Sequence, residues 1–226
     1  LPSTLHLMAV PIGNAKDITL NVIHTMQCVD ALICEERKIG AVLLKGLGLS
    51  KPIHLLNEHS SSEEIRELFH KLFIETEGTY ALISDAGTPC FADPGAEIVG
   101  LCYQHGIKVN CLPGASSLMA ALMLAGKRIE RFYYYGFLNA NRDMRLAELK
   151  KIKSDSRVDY FFLEAPYRLK ALVEDMTSVL GSDRKVRLFY RLTYPDQRVI
   201  ICNLGDLRSL SQQLGKGEFV LLLEAR

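Results

Sequence analysis

Three short loops in the first half of the sequence combine glycine, proline and small residues: Pro11-Ile12-Gly13-Asn14, Ser84-Asp85-Ala86-Gly87-Thr88-Pro89 and Pro113-Gly114-Ala115-Ser116-Ser117. Small residues let a ligand approach the backbone closely, and proline fixes the shape of a loop. Each loop alone is an ordinary strand-to-helix turn. Three together, with Asp93-Pro94-Gly95 just downstream, shift the balance towards a ligand site. None continues into the Gly-Lys-Ser/Thr of a phosphate-binding loop, and none is G-x-G-x-x-G. None holds a lysine or arginine, so a triphosphate or pyrophosphate fits poorly. A cofactor held by backbone amides, carbonyls and one or two hydroxyls fits better.

Two charged stretches are further candidates. Glu35-Glu36-Arg37-Lys38 is either a working cluster or a solvated helix start, where acids are at home in any case. Arg142, Arg145, Lys150, Lys151 and Lys153 follow Tyr133-Tyr134-Tyr135, a combination that suits RNA backbone and bases or, equally, the polar face of a helix. His54 and His59 flank a loop, but no further Cys or His stands at ligand spacing, so no metal is expected.

The elements that must carry these loops alternate. Apolar runs at Leu5–Val10, Ala31–Cys34, Ile53–Leu56, Tyr80–Ile83 and Lys108–Leu112 read as strands. Between them, 20–27, 38–47, a stretch opened by Ser61 with Glu64 as a capping box, 95–105 and 116–125 read as helices. That order implies a mostly parallel sheet covered by helices, with ligands bound outside the carboxyl ends of the strands. Residues 127–157, with nine basic and four acidic side chains, break the rhythm and mark the domain junction. Beyond it, strands near 158–163, 186–190, 198–203 and 219–224 alternate with helices near 143–152, 166–180 and 206–214. The expected division is 1–126 and 127–226, two α/β domains.

Composition narrows the class. The chain has 226 residues, 48% hydrophobic and 23% charged, which suits a globular protein and excludes disorder. With 27 Lys+Arg against 26 Asp+Glu, a generally basic nucleic-acid coat is excluded. The halves differ, however: residues 1–110 carry 8 basic and 13 acidic side chains, and 111–226 carry 19 and 13. Net −5 against net +6 hints at an anionic partner for the second half. The six cysteines form no C-x-x-C pair, and most sit in apolar runs, as reduced buried thiols of an intracellular protein would. No signal peptide is visible. Val109–Gly126 holds 18 uncharged residues, but Pro113 and Gly114 divide it, so strand, turn and buried helix are expected in a soluble, cytoplasmic protein.

Val10-Pro11-Ile12-Gly13-Asn14 with Asp17-Ile18-Thr19, Ile83-Ser84-Asp85-Ala86-Gly87-Thr88-Pro89 with Asp93-Pro94-Gly95, and Leu112-Pro113-Gly114 resemble one family. It is the ribosomal RNA small-subunit methyltransferase I family, within the tetrapyrrole methylase superfamily. The likeness continues through Arg131-Phe132, Gly136-Phe137-Leu138, Glu164-Ala165-Pro166-Tyr167-Arg168-Leu169 and Lys216-Gly217-Glu218, so it covers nearly the whole chain. It implies two α/β domains of the tetrapyrrole methylase type with a cofactor cleft between them, S-adenosylmethionine as cofactor, and a homodimer. It also implies 2′-O-methylation of a cytidine in small-subunit (16S) rRNA, hence rRNA or the small ribosomal subunit as partner. Carried over by position, cofactor contacts would come from Pro11, Asp85, Ala86, Gly87, Cys90, Ser116 and Ser117, with Leu163, Leu192 and Gly217 in the second domain. Arg37, Lys38, Arg142, Arg145 and Arg168 would touch substrate. Glu35 and Lys216 are the candidates for acid/base or orienting work.

The sequence departs from the family where substrate is expected. The usual Ala-Glu-Asp-Thr-Arg is Cys34-Glu35-Glu36-Arg37-Lys38, and Arg-Glu-Leu-Thr-Lys is Tyr190-Arg191-Leu192-Thr193-Tyr194. Two alternatives therefore stand beside the rRNA reading. One is methylation of a tetrapyrrole such as a uroporphyrinogen or corrin precursor, which a basic second half would also suit. The other is a non-catalytic ribosome-binding relative, against which the intact loops at 84–89 and 112–117 count.

Overall fold

The computed structural model describes residues 3–226. The chain forms two compact units, Leu1–Ser116 and Ser117–Arg226.

In the first unit, strands β1 (Thr4–Met8), β2 (Ala31–Cys34), β3 (Ile53–Leu55), β4 (Thr79–Leu82) and β5 (Lys108–Leu112) alternate with helices α1 (Leu20–Cys28), α2 (Arg37–Gly46), α3 (Ser62–Phe69) and α4 (Ala96–Gln104). The strands pair in parallel in the order β3-β2-β4-β1-β5. Alternation along β2 explains why both faces are covered. Ala31 and Ile33 join Leu5, Phe69, Phe73, Tyr80 and Ile98 on one side, while Leu32 and Cys34 join Met8, Val22, Met26 and Leu44 on the other. The capping box at the start of α3 is formed: Ser61 Oγ accepts from the Glu64 amide at 3.2 Å, and Glu64 Oε2 accepts from the Ser61 amide at 2.7 Å. One element follows from no pattern in the sequence. Beyond α3 the helix widens into a π-helix over His70–Glu75, with Leu72 and Phe73 in the core.

The second unit begins with α5 (Ser117–Leu124) and continues with β6 (Phe132–Gly136), α6 (Arg142–Ser154), β7 (Asp159–Glu164), α7 (Leu169–Leu180), β8 (Lys185–Tyr190), β9 (Arg198–Asn203), α8 (Leu204–Ser211) and β10 (Phe219–Leu223). The sequence places α5 in the first domain; here it touches β10, and the units divide between 116 and 117. The sheet order is β6-β7-β10-β8-β9. Only β6 and β7 are parallel; the other pairs are antiparallel. This sheet is therefore mixed, unlike the first. Leu149, Phe162, Leu172, Val173, Leu188 and Leu221 lie at the centre of its core.

The tyrosine run is structural. Tyr133-Tyr134-Tyr135 forms most of edge strand β6, with the Tyr133 ring 5.7 Å from Tyr160 and the Tyr135 ring 5.5 Å from Phe162. The uncharged run 109–126 is β5, a loop and α5, and among the described residues no helix is long and apolar enough to cross a membrane. All six cysteines are free thiols; Cys34 and Cys102 are buried, but Cys28 and Cys111 are exposed, which corrects the expectation for those two.

Candidate functional site

Strand order brings the three loops together. Because β4, β1 and β5 are parallel neighbours, the loops that leave them emerge side by side at one edge, and β2 delivers Glu35 and Glu36 beside the loop after β4. Hydrogen bonds then join them. Val10 and Gly87 exchange amide-to-carbonyl bonds at 2.9 and 3.1 Å, and Thr88 Oγ1 donates to the Ala115 carbonyl at 3.3 Å. The Glu36 amide donates to Asp85 Oδ1 at 3.2 Å, which ties the end of β2 to the same cluster.

The segment after β4 is tightly wound. Gly87 (φ 81°), Cys90 (φ 63°), Ala92 (φ 61°) and Gly95 (φ 129°) all have positive φ. For Cys90 and Ala92 that backbone is uncommon and costs of order 1 kcal/mol each, which surrounding contacts must offset. At Gly87 a Cβ would also sit 3.1 Å from Ile12 Cγ2, so glycine is required for conformation and for the close approach of the first loop.

Carboxylates crowd this edge without a matching cation in the loops. Burial, then Asp85, pushes Asp93 up to about 6. Glu35 is raised by burial first and then by Asp85 and Asp93, and Asp85 is raised by burial although the Glu36 amide opposes the shift. Burial also lifts the Cys34 and Cys90 thiols to about 11, so both are neutral near pH 7 and unsuited to nucleophilic work. The donor set is thus backbone carbonyls and amides, hydroxyls and half-buried carboxylates. It suits a cation carrying hydrogen-bonding groups, which a sulfonium with an amino-acid tail is. Among the described residues no group of three His, Cys, Asp or Glu could hold a metal ion.

The remaining sequence candidates are dispersed. Arg37 and Lys38 are exposed on the first turn of α2, next to Glu35. In the second unit Leu163 on β7 stands opposite Val220, and Leu192 is buried just after β8. Gly217 is fixed by crowding, since a Cβ would lie 2.7 Å from Tyr190 Cζ. Lys216 beside it is exposed.

Two expected substrate contacts are corrected. Arg145 is buried: its Nε and Nη2 donate to Asp175 Oδ2 at 2.9 and 2.7 Å, and its Nη1 donates to the Asn139 and Ala140 carbonyls. Arg168 pairs with Glu164 at 3.3 Å and donates to the Leu138 and Asn139 carbonyls. Both hold the β6–α6 connection in place, with their guanidiniums bonded to protein oxygens. Arg142 is exposed, its side chain 66% in solvent, with Nε donating to Asp175 Oδ1 at 2.9 Å. Sequence reasoning missed Asp175, the buried carboxylate that organises this network. Its sign was an acid inside an otherwise amphipathic helix.

This fold and this site define a class. Residues 4–208 match the family of Tetrapyrrole (Corrin/Porphyrin) Methylases, and the chain belongs to that family. The chain is 35% identical over its full length to the ribosomal RNA small subunit methyltransferase I of Haemophilus influenzae, covering 80% of that protein. It is 36% identical over its full length to the protein of the same name from Leptospira borgpetersenii, covering 89% of it. Among solved structures, a diphthine synthase superposes with a TM-score of 0.76 at 16% identity, over 98% of this chain and 90% of that one. A uroporphyrin-III C-methyl transferase from Thermus thermophilus complexed with S-adenyl homocysteine gives 0.68 at 17% identity, over 99% and 98%. At those identities the likeness is one of fold.

Proposed function

We propose that this chain is an S-adenosylmethionine-dependent methyltransferase of small-subunit rRNA, with the ribose 2′-hydroxyl of a cytidine as acceptor. The observation that carries the reading is the full-length likeness to relatives named ribosomal RNA small subunit methyltransferase I. S-adenosylmethionine, when bound, supplies an electrophilic methyl group on a sulfonium. In this reading Pro11, Asp85, Ala86, Gly87, Cys90 and Ser116 hold it, and the crowded carboxylates complement its positive charge. Glu35 takes the proton of the attacking hydroxyl; burial and its acidic neighbours raise its basicity. Lys216 orients the substrate. The rate gain comes mainly from holding oxygen, carbon and sulfur in line. A homodimer and a cytoplasmic location belong to the same reading.

Mass spectrometry of rRNA nucleosides from cells with and without the gene tests the reaction. Loss of one 2′-O-methylcytidine is expected, and unchanged nucleosides would reject it. Labelled methyl donor offered with rRNA or with a uroporphyrinogen separates the two substrate classes; label in the pigment alone would reverse the assignment. For the donor site, Asp85→Ala is expected to weaken S-adenosylmethionine binding by about tenfold or more in calorimetry. Unchanged affinity would reduce the 84–89 loop to a turn.

A further inference from the structure

The second unit contains a cavity of about 350 Å³ of which the reaction as described uses Lys216 alone. It lies where two stretches distant in sequence meet. Strand β10 pairs with β7 so that Phe219 stands opposite Glu164, which brings Pro166-Tyr167 leaving β7 alongside Gly215-Lys216 entering β10. Pro166, Leu169 and Leu214 give the cavity apolar walls. Tyr167 presents its ring at the rim, 72% exposed.

Two ammonium groups share the lining, and no carboxylate does. Lys170 Nζ donates to the Gln212 carbonyl at 3.2 Å, which anchors the head group while leaving it further donors. Lys216 is exposed on a turn whose shape is set by the crowding of Gly217 against Tyr190. An aromatic face, an apolar recess and two cations without a counter-ion are what an unstacked nucleotide needs. The base stacks on the ring, and the flanking phosphates meet the ammonium groups. Size agrees, since cavities of this order hold one small organic ligand.

We propose that this cavity is an RNA subsite that grips one unpaired nucleotide of the substrate, with its base on Tyr167 and its phosphates on Lys170 and Lys216. The inference rests on the rRNA reading and adds to it a place of substrate recognition away from the loops after β1, β4 and β5. It also moves the expected RNA contact from α6, where Arg145 is buried, to residues that are free to bind.

Fluorescence anisotropy with a fluorescein-labelled single-stranded oligocytidylate tests it across a salt series. Tyr167→Ala is expected to lose roughly ten- to a hundredfold in affinity, and Tyr167→Phe, which keeps the ring, to bind like the parent. Lys170→Gln with Lys216→Gln is expected to make the log–log salt slope shallower by about 1.4, from roughly 0.7 per phosphate contact. Thermal unfolding should be unchanged in all of them, because the three side chains are exposed. Parental affinity and slope in the variants, or no oligonucleotide binding by the parent protein, overturns the proposal. Weaker S-adenosylmethionine binding in Tyr167→Ala with oligonucleotide affinity intact overturns it too, since the cavity would then serve the cofactor. Methyl transfer to rRNA by the parent protein is measured in parallel. Transfer with Tyr167→Ala binding like the parent rejects the subsite alone; no transfer, with the expected binding losses, rejects the reaction and keeps the subsite.

Discussion

The two units treat carboxylates withdrawn from solvent, buried in one and half-buried in the other, in opposite ways. In the second, each buried acid has a basic partner. Asp175 holds Arg145 and Arg142, Glu164 holds Arg168, and Asp159 and Glu224 share Lys127, with Arg187 also on Glu224. In the first, Glu35, Asp85 and Asp93 crowd one sheet edge: burial raises all three, and neighbouring acids add to it, Asp85 on Glu35 and Asp93, and Glu36 on Asp85. Matched charge fixes a backbone; unmatched charge leaves a field that a positively charged ligand can relieve. The arginines of α6 are therefore tied into the fold, and the acids after β2 and β4 are left for the donor site proposed above.

Removing the matched partner should give the largest effect. Asp175→Ala strands Arg145, whose side chain is 7% exposed, and is expected to cost about 3–5 kcal/mol in urea unfolding. A loss below about 1 kcal/mol would show that the network is no more than surface pairing. Next comes the unmatched side. A carboxyl raised to about 6 takes up a proton in the native state before it does so in the unfolded chain. The stabilisation from that proton is present below the ordinary carboxylate range and lost as pH rises through about 6. Asp93→Asn should therefore raise the melting temperature near pH 7.5 and change it little near pH 4.5. The parent protein should bind S-adenosylmethionine more tightly as pH rises through the same interval, measured by calorimetry. An equal melting shift at both pH values would mean that Asp93 carries no excess charge energy. The smallest effect is expected at Arg142. Its head group is mostly in solvent and Asp175 keeps Arg145 when it is gone, so Arg142→Gln should cost less than about 1 kcal/mol in the same unfolding assay.

Local pattern made much of this legible. Strands 31–34 and 108–112 were readable to the residue, and 198–203 closely, because the runs there are short, and the Ser61–Glu64 box is written into four consecutive positions. The three loops were legible as a set from composition, and the strand order supplies the reason they meet. What escaped was long-range. Strand β6 was hidden because three tyrosines among basic residues show no period of two, and its partner β7 fixes it from 27 residues away (Phe132 to Asp159). The antiparallel pairing of β10 with β7 and β8 depends on contacts that no window of sequence contains. Arg145 was open to reading as an RNA contact or a solvated helix residue because Asp175 lies a whole strand later. The π-helix after α3 follows a plain amphipathic run with nothing in it to announce a wider turn.

The place of β10 has a consequence for synthesis. It is the last strand of its sheet in chain order, yet it sits in the middle, bonded to β7 on one side and β8 on the other. As the nascent chain leaves the ribosome, β6–β7 and β8–β9 emerge as separate two-stranded ribbons with no direct bond between them. Such ribbons are marginal alone, and their inner edges here are apolar, with Tyr160-Phe161-Phe162 in one and Leu188-Phe189 in the other. The first unit meets no such delay, because its last strand, β5, is an edge added to a sheet already joined. The sheet of the second unit cannot be joined before Phe219–Leu223 is available, because those five residues are the only ones that bond both ribbons.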